Sequence, residues 1–202
     1  MLRVLLISVL LMVTGTVQAL PERFIEGQDY QVIAPYKEAS PKSVRVFFSY
    51  NCPHCYRHQP LLDKVEATLA DKVDFILNPV GVGRKSWTLS QMAFVIAEQS
   101  NRVALIHHDL FKRIHEQRKP FQNLAEVGAF LAAYGIDNSE FTTQSNSEQT
   151  KSRMSELDNM ARKASIKGVP NLVVNGHYLV NASVNDPEKL SELLIYLIDL
   201  DS

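Results

Sequence analysis

Two cysteines, Cys52 and Cys55, are the only ones in the chain, and the residues around them constrain the fold more than any other stretch. Cys52-Pro53-His54-Cys55 ends the apolar run Val44-Arg45-Val46-Phe47-Phe48-Ser49-Tyr50. That run is rich in β-branched and aromatic residues and too continuous to face water, so it reads as a buried central strand. Cysteines two residues apart can close a small disulfide if the second lies one turn into a helix. Pro53 suits the first helical position, where its missing N–H would have no partner anyway. Cys52 then sits at the helix N-terminus, where free N–H groups and the macrodipole favour negative charge. A thiol held there as thiolate is the form that attacks disulfides. The strand, turn and helix therefore point to thiol–disulfide chemistry.

The start of the chain has a different character. Arg3 is a short positive region, Val4 to Val13 is apolar, and Val17-Gln18-Ala19 is a small-residue cleavage site. This reads as a cleavable secretory signal over residues 1–19 rather than a buried helix or membrane anchor. Removing nineteen of 202 residues leaves 183, and loss of Arg3 moves the net charge from −1 to −2. Near-neutral charge argues against nucleic acid as a main partner. An exported chain this long folds without a disulfide staple, which frees the single pair for redox chemistry.

The rest of the chain follows in order. Tyr30 to Ile33 is a first strand, and Val73 to Leu77 a third after the active-site helix, which Pro60 should kink. From about Ser86 to Ala164 the period is helical. The apolar stripes are Leu89, Met92, Ala93 and Ile96; then Val103, Ile106, Leu110 and Ile114; then Leu124, Val127, Leu131 and Tyr134, stopped by Gly135; then Met154, Leu157, Ala161 and Ala164. After Gly168-Val169-Pro170, Leu172–Val174 and Tyr178–Val180 flank Asn175-Gly176 as a hairpin with a two-residue turn. Asp186-Pro187 starts a final helix that buries Leu190, Leu193, Leu194 and Leu197.

Other chemistries fit less well. Half of a zinc site would need two more ligands, and His107, His108, His115 and His177 lack the spacing around His58. Tyr56 after Cys55 excludes c-type haem attachment. A purely structural disulfide of so small a ring would constrain little unfolded-chain entropy. His107-His108 reads as a solvated helix face, and Trp87 as core or near-core.

Phe47-Phe48-Ser49 running into Cys52-Pro53-His54-Cys55-Tyr56, then Gly168-Val169-Pro170 and Val174-Asn175-Gly176 with Tyr178, together resemble the DsbA family of periplasmic thiol:disulfide oxidoreductases. The resemblance covers nearly all of the chain after residue 19. It implies an α/β thioredoxin fold with an inserted all-helical domain: residues 20–83 and 151–202 form the thioredoxin-like part and 84–150 the insertion. It also implies that Cys52 is an exposed nucleophile, Cys55 a buried resolving thiol, and His54 a group lying over the thiolate. Val169 and a cis Pro170 would present backbone to an extended substrate peptide. The sequence departs from the family pattern at Val46, where a buried Glu is common, at Gln59, often acidic, and at Asn51, often aromatic.

The mechanism expected from this resemblance starts from a Cys52–Cys55 disulfide. A substrate thiolate attacks Cys52 to give a mixed disulfide, and a second substrate cysteine then displaces Cys52. The better Cys52 leaves, the faster the reaction. A pKa lowered by about two to five is worth about 3–7 kcal/mol, present only in the reduced state, and makes the disulfide oxidising. The expected activity is a dithiol oxidase acting on cysteine-containing exported polypeptides, as a monomer in the periplasm. It needs no cofactor and is recycled by a DsbB-like, quinone-linked membrane oxidase. Two alternatives remain on sequence alone: a reductase or isomerase of the same fold, and a peptide-binding, chaperone-like module.

Overall fold

A computed structural model describes residues 23–181 and 184–200. The signal sequence expected over residues 1–19 lies outside them. Among the described residues five strands and seven helices follow one another as β1 (Tyr30–Val32), β2 (Ser43–Phe48), α1 (Pro53–Leu69), β3 (Asp74–Pro79), α2 (Lys85–Gln99), α3 (Val103–His115), α4 (Leu124–Ala132), α5 (Asn138–Asn146), α6 (Glu148–Lys163), β4 (Asn171–Val174), β5 (Tyr178–Asn181) and α7 (Pro187–Leu200). The sheet order is β1-β5-β4-β2-β3, with β2 and β3 parallel and the other pairs antiparallel. β2 lies between β4 and β3, the interior place its composition demands.

Alternation along β2 divides its side chains between two layers. Val44, Val46 and Phe48 join the main core with α1, α7, Leu172 and Val174. Phe47 faces the opposite layer, against Val173 and Met160, Ala161 and Ala164 of α6. Arg45 shares that second layer and is buried, a charge inside a strand that reads as apolar. Glu38 meets it: Arg45 Nε donates to Oε1 at 2.7 Å and Nη2 to Oε2 at 2.5 Å. Its remaining Nη1 donates to Asn78 Oδ1 at 3.0 Å, and Asn78 Nδ2 donates to the Leu157 carbonyl of α6 at 3.0 Å. A forked guanidinium with every nitrogen engaged is the form in which a buried arginine is tolerated.

The helical stretch holds one helix that the stripes do not separate. α5 carries Phe141 as its buried apolar anchor and begins at Asp137, whose side chain accepts from the Glu140 N–H at 2.9 Å. The hairpin also differs from expectation. Val174 pairs with Tyr178, so three residues, Asn175 to His177, form its end rather than two. Asn175 and Gly176 do take the positive φ of their turn residues, 50° and 67°. The cause is tertiary: the Tyr36 N–H donates to the Gly176 carbonyl at 3.0 Å, and the Ile33 N–H to the His177 carbonyl at 2.9 Å. A Cβ at position 176 would lie 2.1 Å from the Tyr36 carbonyl oxygen. At the last helix, Asp186 Oδ1 accepts from the N–H groups of Glu188 and Lys189, as its N-cap position requires.

Candidate active site

α1 begins immediately after β2, and Cys52 is its N-cap, with extended backbone (φ −88°, ψ 117°) and Pro53 opening the helix. The Cys52 N–H is satisfied by the Ser49 carbonyl at 3.0 Å, and the Cys52 carbonyl accepts from the Tyr56 N–H at 3.1 Å. The first turn contains no acidic residue to compete for the helix terminus. The helix runs on unbroken through Pro60 to Leu69.

Both cysteines are thiols in this structure. Cys52, expected to be exposed, is only 7% accessible, and Cys55 is 2% accessible. Cys52 is covered because the loop before β4 folds over it: its Sγ lies 3.5 Å from the Val169 carbonyl oxygen. The Val169–Pro170 peptide bond is cis. The fold thus brings Cys52, Cys55, Val169 and Pro170 together across about 117 residues of sequence.

The two thiols are pushed in opposite directions. A hydrogen bond from the Cys55 side chain brings the Cys52 pKa down most. Burial opposes this, and the backbone N–H groups of Cys55 and His54 and the charge of His54 add to the lowering, for a result of about 6. Cys55 is pushed far up, first by that same bond to Cys52 and then by burial. The reduced site therefore holds one thiolate and one thiol near neutral pH. The donor that the sequence reading missed is Cys55 itself, whose contribution needs the folded turn. His54 is solvent-exposed and its charge is the least of these influences; its Nδ1 is 3.0 Å from the Arg57 guanidinium, which donates to it.

The positions that depart from the family pattern are placed as follows. Asn51 Oδ1 accepts from Ser90 Oγ at 2.9 Å and ties the active-site turn to α2. Gln59 donates to Asp63 at 2.9 Å. Val46 is buried at the wall of a small void beside Cys55, which Gln59, Glu66, His107 and Pro170 also line. His107 corrects the sequence reading of a solvated His107-His108 face. His107 is 7% accessible, whereas the side chain of His108 is 52% accessible. α3 turns the stripe Ile106, His107, Leu110, Phe111 and Ile114 inward, which takes one histidine into the core and leaves its neighbour outside. Trp87 packs against both cores, with the Arg84 guanidinium 4.8 Å above its ring. Among the described residues no His, Cys, Asp and Glu cluster could hold a metal ion.

Comparison with known proteins finds a matching family and similar folds. The DSBA-like thioredoxin domain family matches residues 43–194. The thiol:disulfide interchange protein DsbA of Pseudomonas aeruginosa is 29% identical over 180 residues, covering 87% of this chain and 85% of that protein. The corresponding protein of Azotobacter vinelandii is 32% identical over 164 residues, 80% of this chain and 76% of that one. A crystal structure of Pseudomonas aeruginosa DsbA superposes with a TM-score of 0.78 at 29% identity, covering 88% of this chain and 94% of that chain.

Proposed function

The chain belongs to the DSBA-like thioredoxin domain family, and from that premise we propose that it oxidises dithiols of exported proteins through a Cys52–Cys55 disulfide. The observation that carries this reading is the division of the pair into a thiol lowered to about 6 and one pushed far up. A substrate thiolate attacks Cys52, and the electron pair of the broken disulfide leaves on Cys55. A second substrate thiolate attacks the substrate sulfur of the mixed disulfide, and Cys52 leaves as a stabilised thiolate. Pro53 sets the helix start, the ring of His54 stands beside Cys52 and favours its thiolate when protonated, and Val169 and Pro170 offer backbone to the incoming peptide.

We further propose export by cleavage after residue 19, action in the periplasm, and recycling by a DsbB-like membrane oxidase. The division into residues 20–83 and 151–202 around an insertion at 84–150 belongs to the same reading. α6 (Glu148–Lys163) then spans the second boundary: it packs against α2 and α5 and also reaches β3.

Equilibration of the purified protein with glutathione redox buffers tests the function. The expected result is a disulfide already reduced by a small fraction of reduced glutathione. A disulfide that persists until glutathione is nearly all thiol overturns the oxidase and favours a reductase. Activity that survives Cys52→Ala overturns both and leaves peptide binding.

A further inference from the structure

The void beside Cys55 contains a buried polar side chain that the steps above do not use. Its walls are apolar at Val46, Phe48 and Leu62 and polar at His107, Gln59 and Glu66. Gln59 is engaged with Asp63, and Glu66 lines the void but remains open to solvent, its carboxyl pKa raised by partial burial and then by Asp63. His107 is different. Its Nδ1 lies 2.9 Å from Tyr50 Oη, and its ring meets Phe48 and Phe111 edge-on at 5.6 Å and 5.4 Å. Its Nε2 is buried and has no hydrogen-bond partner among the described residues. Leaving a buried donor or acceptor unsatisfied costs about 1–3 kcal/mol, so packing alone is a poor account of this residue.

The proton can be assigned. Tyr50 is fully buried, which pushes its phenol pKa up and keeps it a neutral donor. Among the described residues its hydroxyl has only His107 Nδ1 to donate to, so Nδ1 accepts and Nε2 carries the hydrogen. Burial, and then the charge of His108, lower the His107 pKa to about 4, so the ring is neutral at neutral pH. The void offers about 10 Å³ of room for a water centre, close to the least that holds one water.

We propose that His107, oriented by Tyr50, donates its Nε2–H through a single water to the thiolate that forms on Cys55. This rests on the reading of Cys52 and Cys55 as the redox pair. When substrate attacks Cys52, a substrate–Cys52 S–S bond forms, the Cys52–Cys55 bond breaks, and the electron pair stays on Cys55 Sγ. That charge appears in a buried place, where a fixed dipole is most effective. The thiolate then takes a proton from solvent past Gln59 and Glu66, and His107 stays neutral throughout. On recycling, the Cys55 thiol returns that proton to solvent, and its thiolate, held by the same donor, attacks Cys52 and expels the recycling partner's thiolate. The titratable groups facing His107 are Tyr50, Cys55 and Glu66, with His108 beside it on α3. His107 supplies a donor where Val46 supplies none.

The test compares wild type, His107→Leu and His107→Gln in two assays. The first is the rate at which reduced glutathione opens the oxidised pair. The second is the pH dependence of Cys55 alkylation in a Cys52→Ser background. Losing one hydrogen bond to a charged group should raise the Cys55 pKa by about one to two. With about half of that expressed in the rate, His107→Leu should open about three- to tenfold more slowly. His107→Gln, which keeps an N–H donor, should stay within about twofold of wild type on the same scale. If His107→Leu does not fold, His107→Met takes its place. A wild-type rate and an unchanged Cys55 profile in the apolar variant overturn the proposal, as does a glutamine variant as slow as leucine. A wild-type disulfide that glutathione does not open overturns instead the redox reading beneath it.

Discussion

Ionisation of Cys52 should make the extra stability of the reduced protein depend on pH in a calculable way. An ordinary cysteine titrates near 8.5, and folding lowers Cys52 to about 6. A group lowered by folding contributes stability that is fully present above its unfolded pKa and is lost as pH falls through its folded pKa. At pH 5 the contribution is close to zero. By pH 7 it is about 1.4 kcal/mol, and by pH 8.5 about 3 kcal/mol. Cys55 acts with the opposite sign. Its raised pKa stabilises the folded form below about pH 8.5 and that stability is lost above it, removing about 0.4 kcal/mol at pH 8.5. The advantage of the reduced over the oxidised form should therefore rise from pH 5, peak near pH 8.5 and then fall. At pH 7 it corresponds to about 3–6 °C in Tm for a chain of this size. The disulfide's own effect on the unfolded chain does not titrate, so the pH dependence isolates the thiols. Urea unfolding of both redox forms at pH 5, 7 and 8.5 measures it. A difference that is flat from pH 5 to 8.5, or that shrinks, would refute the assignment of a stabilised Cys52 thiolate.

The order of influences on Cys52 gives a second expectation. Cys55→Ala should raise the Cys52 pKa more than His54→Leu does, with the histidine change worth less than about one pKa unit, or 1.4 kcal/mol. Thiolate absorbance against pH decides it, and a larger effect from His54→Leu would reverse the order. Away from the site, Arg45→Ala leaves Glu38 buried without its partner and should cost about 3–5 kcal/mol in urea unfolding. A cost below about 1 kcal/mol would mean that Glu38 finds water in the variant.

Much of the site is legible from short stretches. The run from Val44 to Phe48 is too apolar and β-branched to be anything but an inner strand. Pro53 suits the first position of a helix, and the two together place Cys52 at a helix N-terminus. These are local free energies: a fixed φ, a missing N–H, a periodicity of two or of 3.6. Asp186-Pro187 as a helix start and Asn175-Gly176 as a turn are readable for the same reason. What tertiary structure decided depends on neighbours remote in sequence. The hairpin end has three residues because Tyr36 and Ile33 bind it. Cys52 is covered because Val169 folds over it. Arg45 sits comfortably inside the sheet because Glu38 and Asn78 converge on it from separate segments. His107 and His108 are adjacent and chemically identical, but only His107 stands at helical spacing from Val103, Leu110 and Phe111, a periodicity that separates them once the inward face of α3 is known. The rotation of α3 against β2 and α1, fixed by packing Ile106, Leu110, Phe111 and Ile114, sends one histidine to the chamber beside Cys55 and leaves the other in water.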